Sequence, residues 1–251
     1  MTDALVAGGW GLLGGVALVI GAAVAWVLPV PPRVVATVMA FGAGVLVSAL
    51  SIDLAQEAAD TGGLLATCVG FLAGSAAYVA ANAALASRGA RHRKRSGGQQ
   101  PSEGEQSGSG AAIAVGALLD GVPESVVLGV GLLGSGSVSS AVLAAVFISN
   151  LPEGLSSAAG MKRAGRSAGY VFGVWGGIAV VCGVAAALGY ALLDGASGQT
   201  IAVITAVAAG AILTMVADTM IPEAFERTHL LTGMVTATGF LVAFAISRLG
   251  E

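Results

Sequence analysis

Charge is what this chain has least of. Among its 251 residues, Lys and Arg number 11 and Asp and Glu 14, together 10%, where a soluble domain carries about 25%. With 56% hydrophobic residues and a mean hydropathy of +0.89, that scarcity argues against a water-soluble enzyme or binding module. It predicts a polytopic membrane protein. Cysteine is almost missing as well. Cys68 and Cys182 both fall in apolar segments, so neither a disulfide framework nor a Cys-x-x-Cys metal site is expected. Histidine occurs twice, at His92 and His229, each in a polar break. That excludes a Ser–His dyad within the membrane. No basic residue falls inside any of the long apolar stretches, and nothing in the sequence calls for a prosthetic group or a nucleic-acid partner.

What is present in abundance is apolar sequence in lengths that cross a bilayer, for which about 20 residues suffice. Eight spans are predicted: 4–28, 34–59, 63–86, 111–133, 138–161, 168–193, 200–221 and 230–246. The breaks carry turn residues, such as Pro29, Pro31 and Pro32, Thr61-Gly-Gly, Gly134-Ser-Gly-Ser and Asp194-Gly-Ala-Ser-Gly. The first run, Ala4 to Leu28, is too long for a signal-peptide core and has no basic segment before it. The 39 glycines suit helices that approach closely in lipid. Gly42, Gly44, Gly129, Gly131 and Gly134 are candidates for sliding contacts.

The expected fold class is therefore an all-α membrane protein, an eight-transmembrane-helix bundle formed as one domain over residues 1–251. Its one long polar stretch, 87–110, has a basic start followed by Gly, Ser, Gln and Glu. It reads as a disordered loop between the third and fourth spans. Ten of the 11 basic residues fall in alternate loops: Arg33; Arg88, Arg91, Arg93, Lys94 and Arg95; Lys162, Arg163 and Arg166; and Arg227. Basic loops stay in the cytoplasm, which makes the long loop cytoplasmic and both termini extracytoplasmic.

Against this apolar background the acids stand out. Asp53 and Glu57 fall toward the outer end of the second span, Asp120 and Glu124 in the fourth, Glu153 in the fifth and Asp218 in the seventh, with Glu223 and Glu226 just beyond. An ionised carboxylate near the bilayer centre costs roughly 2.5–3.5 kcal/mol even on the mildest scale. Three of the acids belong to a recurring Pro-Glu dipeptide: Asp120-Gly-Val-Pro123-Glu124, Ser149-Asn150-Leu-Pro152-Glu153 and Asp218-Thr-Met-Ile-Pro222-Glu223. Asp120 and Glu124, four apart, share a helical face, as do Asn150 and Glu153, three apart. Each proline also frees the carbonyl four residues earlier, at Leu119, Ile148 and Asp218. A proline kink alone is usually helix geometry, and a single membrane acid can be a protonated packing contact. Three copies together, with no basic residue in any span, point to a bound cation in an oxygen-rich site.

These motifs, in this order, resemble the ZIP (Zrt/Irt-like) divalent metal transporters over nearly the whole chain. That family has eight spans, both ends outside, a variable cytoplasmic loop after the third span, and His-Asn-x-Pro-Glu-Gly-type motifs in spans four and five. In the fourth span, Pro123 and Glu124 match, with Asp120, Gly121 and Ser125 at the usual His, Asn and Gly. In the fifth, Asn150, Pro152, Glu153 and Gly154 match, with Ser149 at the usual His or Gln. Phe41-Gly-Ala-Gly-Val-Leu and Asp218-Thr-Met-Ile-Pro222-Glu223 are similar to further family segments. The sixth-span glutamate of many bacterial members has no counterpart in Trp175-Gly-Gly-Ile-Ala-Val-Val.

The resemblance implies a multi-pass cell-membrane protein that carries Zn, Mn or Fe toward the cytoplasm by alternating access, with no enzymatic activity and with homodimers common in the family. It implies metal ligands at Asp120, Glu124, Asn150 and Glu153, with Ser149 as a weaker donor. Asp218 and Glu223 would be relays on the cytoplasmic side, and Asp53 and Glu57 on the outer. An all-oxygen ligand set favours Mn²⁺ or Fe²⁺ over Zn²⁺. Two rivals are a transport-inactive relative that binds metal weakly or not at all, and an intramembrane aspartyl protease using Asp120 and Asp218. The Gly-x-Gly-Asp pattern of the latter is absent at both positions.

Overall fold

The structure, a computed structural model, describes residues 2–94, 100–102, 104–135 and 140–249. Among these there is no strand, and eight helical segments are long and apolar enough to span a membrane. Ten α-helices build them: α1 (Thr2–Val27), α2 (Pro32–Leu46), α3 (Asp53–Gly62), α4 (Leu64–Ala86), α5 (Ser109–Ser135), α6 (Ser140–Arg163), α7 (Ala168–Leu193), α8 (Gly198–Met215), α9 (Ile221–Thr228) and α10 (Leu231–Leu249). Two spans are compound. A π-helical turn over Val47–Ile52 joins α2 to α3, and another over Val216–Met220 joins α8 to α9. Such wide turns disturb the hydrogen-bond ladder. The second passes directly into Pro222 in the first turn of α9, where a missing N–H costs little. The seventh span thereby runs to Thr228 rather than 221, carrying Glu223 and Glu226 on helix. The expected start of the fifth span, at 138, lies outside the described residues.

Helices α5 and α6 are central. Leu128 of α5 and Val146 of α6 pack with Met39, Leu46, Ile212 and Met215. Ile113 of α5 and Met161 of α6 pack with Leu18, Val171, Trp175 and Ile178. Large apolar side chains such as Leu5, Leu65, Leu72, Leu192 and Met234 face outward, as lipid requires. At one end of the bundle the basic loops gather: the Lys162 ammonium donates to the Trp26 carbonyl at 2.6 Å and Arg166 to the Ser109 hydroxyl at 2.8 Å. Toward the other end, Tyr190 donates to Asp3 at 3.5 Å and Ser247 to Asp53 at 3.3 Å.

Glycine sets the closest approach. A Cβ on Gly154 of α6 would collide with the Leu18 carbonyl of α1, and one on Gly21 with the Leu151 carbonyl. Of the sliding-contact candidates, Gly44 and Gly129 are likewise pressed against the Thr236 and Ala186 carbonyls, whereas Gly131 faces open space. Gly42 has ordinary contacts, and the surroundings of Gly134 lie outside the described residues. Gly154→Ala should therefore cost about 1–3 kcal/mol by overpacking, read as a lower melting temperature in detergent, while Gly131→Ala should melt like the parent. Equal melting of the two variants would refute this account of the α1–α6 contact.

The 87–110 stretch departs from the disorder expected of it wherever it is described. Gly89 takes the left-handed conformation (φ 100°) just past α4 and turns the chain back. A short 3₁₀ turn over Ala90–His92 follows, and Ala90, Arg93, Lys94 and Gln100 are buried. Farther on, the Ser102 backbone N–H and hydroxyl both donate to Glu105, holding its carboxyl below the usual range. Composition suggested a solvated loop because its residues are polar. It could not show that the chain folds back onto acids able to pair with them. Arg95, counted among the loop's basic residues, lies outside the described set.

Candidate functional site

The α5 helix runs through Pro123 and the α6 helix through Pro152 without ending. Helical periodicity places Asp120 and Glu124 one turn apart on α5, and Asn150 and Glu153 one turn apart on α6. All four are buried, with Asp120 and Glu124 each 1% exposed and Glu153 5%. Glu124 lies within electrostatic reach of both Glu153 and Asp120. The two Pro-Glu motifs thus bring their carboxylates into one region of the bundle, as their spacing predicts.

The expectation that these acids lack basic partners is overturned. The chain turned back at Gly89 delivers Arg93 and Lys94 among them. The Arg93 guanidinium grips Asp120 with two bonds, Nε to Oδ2 and Nη2 to Oδ1, both 3.0 Å. It also donates to the Tyr78 hydroxyl at 2.9 Å and to Asn82 Oδ1 at 2.7 Å, and Tyr78 donates to Asp120 Oδ1 at 2.6 Å. Burial works against the charge on Arg93. The Asp120 carboxylate more than offsets it, through charge and hydrogen bonds, and holds the guanidinium above the ordinary arginine pKa. Gly116 on α5 makes room for the stem, since a Cβ there would stand 2.5 Å from Arg93 Cδ. Lys94 Nζ sits 2.6 Å from Glu153 Oε1 and 3.4 Å from Asp120 Oδ2. Gln100 fastens the return of the chain, donating to the Arg93 carbonyl at 2.9 Å and to the Ser157 carbonyl at 3.1 Å. Two basic residues that hydropathy assigns to a loop therefore lie inside the helix bundle. The physical reason is that a desolvated carboxylate draws in the nearest chain cation that can reach it.

The remaining predicted ligands divide. Among the described residues, both Glu124 oxygens and Asn150 Oδ1 are buried without a hydrogen-bond partner, while Asn150 Nδ2 donates to the Gly14 carbonyl at 3.1 Å. Ser149 is buried and donates its hydroxyl hydrogen to the Val146 carbonyl at 2.9 Å, which still leaves the oxygen lone pairs for a ligand. Among the described residues, no group of three or more His, Cys, Asp or Glu side chains is gathered so as to hold a metal ion. With Asp120 engaged by Arg93 and Tyr78, and Lys94 between Asp120 and Glu153, the carboxylates here hold the protein's own cations. Trp175, in the stretch where the family resemblance has a glutamate, lines a void of about 10 Å³ together with Lys94, Asp120, Glu153 and Ser157.

Of the expected relays, Glu223 is buried, whereas Asp218 and Glu57 are exposed and Asp53 is half-buried. Asp218 and Glu226 line a cavity of about 510 Å³ together with Asn82, His92 and Thr219, and Arg93 and Lys94 form part of its wall. Asp218 thus faces this cavity, whereas Asp120 is buried and held by Arg93 and Tyr78. Sequence reasoning missed Tyr78, Asn82, Arg93, Lys94 and Gln100. One signal was available: Tyr78 and Asn82, four apart, place two polar groups on one face of an otherwise apolar span just ahead of the basic run. A scan against protein-family models finds no match, and a search of curated proteins finds no similar chain.

Proposed function

We propose that the chain is a ZIP-like transporter of the cell membrane, carrying divalent metal cations of the zinc, manganese or iron class toward the cytoplasm through a site between α5 and α6. The observation that carries this reading is Glu124: a carboxylate 1% exposed on a proline-bearing helix, near Glu153, with neither oxygen hydrogen-bonded. A buried group of that kind is costly unless it gains a partner during function. Glu124, Glu153 and the free oxygen of Asn150 are the ligands most open to a cation. Asp120 joins them only after Lys94 and Arg93 shift. Oxygen donors alone suit a hard ion such as manganese. The basic end of the bundle faces the cytoplasm in this reading, and both termini face outward.

A second reading is favoured by one specific observation. Lys94 and Arg93 already neutralise Glu153 and Asp120, which is what a transport-inactive relative would look like. Reconstitution into liposomes separates the two. Manganese should enter, in competition with iron, zinc and cadmium, and His229→Ala should leave uptake within about twofold of the parent. Folded, inserted protein that admits no divalent cation, whichever way a tag at the N-terminus reports it to face, would establish the second reading instead.

A further inference from the structure

We propose that Lys94 is a tethered competitor of the transported cation: its ammonium occupies the position between Asp120 and Glu153, and a divalent ion gains the site by displacing it. This deepens the transport reading above and rests on it for the identity of the ion. The two loop cations are held very differently. Arg93 is fixed by Asp120, Tyr78 and Asn82 at once, and Gln100 holds its backbone carbonyl. Among the described residues, the Lys94 ammonium pairs with two carboxylates, one at 2.6 Å and the other at 3.4 Å. Arg93 is the anchor and Lys94 the part that can leave.

The surroundings supply both a reason to leave and a place to go. Lys94 forms part of the wall of the 510 Å³ cavity that also carries Arg91, Asp218 and Glu226, so an ammonium swung outward enters a polar space with the exposed Asp218 carboxylate in its wall. An ammonium is a point charge with three donors and leaves the Glu124 oxygens unpartnered. A divalent cation takes more oxygen ligands and can engage Glu124 and Glu153 together. Lys94 thus holds the carboxylates in the absence of metal and sets a threshold concentration for its entry.

Two measurements on the full-length protein test this, with manganese alone as the probe. Lys94→Ala should lower the manganese concentration for half-maximal uptake by about tenfold, the scale of one lost competing contact. Separately, a membrane-permeant carbodiimide should join the Lys94 amine to the Glu153 carboxyl as an amide, with loss of water to the carbodiimide, because the two lie 2.6 Å apart; the linked peptides are read by mass spectrometry. The amide yield should fall as manganese is added, and the linked protein should not transport. Coupling that manganese lowers, in a protein that never transports, would support the competitor and sink the transport reading alone. Manganese-insensitive coupling, or an unchanged uptake midpoint in Lys94→Ala, would overturn the competitor even if uptake is robust.

Discussion

If the chain carries divalent cations as proposed, Glu124→Gln should abolish their uptake while leaving the protein as stable as the parent, or more so. Both halves follow from one observation, that neither Glu124 oxygen has a hydrogen-bond partner although the side chain is buried. An unpaired buried polar group costs about 1–3 kcal/mol, more if charged, so its equally shaped amide, polar and unpaired in its turn, sheds only the extra cost of charge and loses no contact. What it takes away is the negative charge a cation needs, and uptake should fall at least about a hundredfold, corresponding to roughly 2.7 kcal/mol of lost interaction. Glu124→Ala should match it in transport. Glu153→Ala should also abolish uptake, but with lower stability, because Lys94 loses its nearest partner at 2.6 Å. The discriminating readout is uptake against melting temperature in the same preparation. Normal flux through Glu124→Gln would remove the residue from the pathway, and a parallel loss of stability would make it a packing residue.

Arg93→Ala should destabilise the fold by about 3–5 kcal/mol, the usual result of deleting one partner of a buried ion pair. The guanidinium satisfies Asp120, Tyr78 and Asn82 together. Arg93→Lys keeps the charge but not the planar fork, so it should recover less than half of the loss. Asp120→Asn tests the pairing. The double variant Arg93→Ala, Asp120→Asn should be less destabilised than the sum of the singles, with a coupling of at least 1 kcal/mol, on the order expected for contacting residues. Denaturation in mild detergent reads this. Arg93→Ala within about 0.5 kcal/mol of the parent, the range of neutral surface changes, would mean that the segment is not docked as described.

Much of the architecture could be read before folding because its causes are local. Long apolar runs locate the spans, and their ends agree with the helices except near Pro222, where a π-helical turn lets the helix continue to Thr228. Asp120 with Glu124, and Asn150 with Glu153, could be placed on shared faces from their spacing alone. The same locality explains the failures. A span-by-span reading treats Arg93 and Lys94 as solvated because their neighbours are polar, and it cannot detect that a turn at Gly89 carries them to carboxylates 27 and 59 residues away.

The sequence by itself determined that this is a helical protein with eight segments long and apolar enough to cross a membrane and acids set at prolines within them, because hydropathy and helical period act over a few turns. Only the tertiary structure decided what neutralises those acids. That depends on which distant charge can be brought within hydrogen-bond reach at the least desolvation cost, and here the chain supplies its own arginine and lysine.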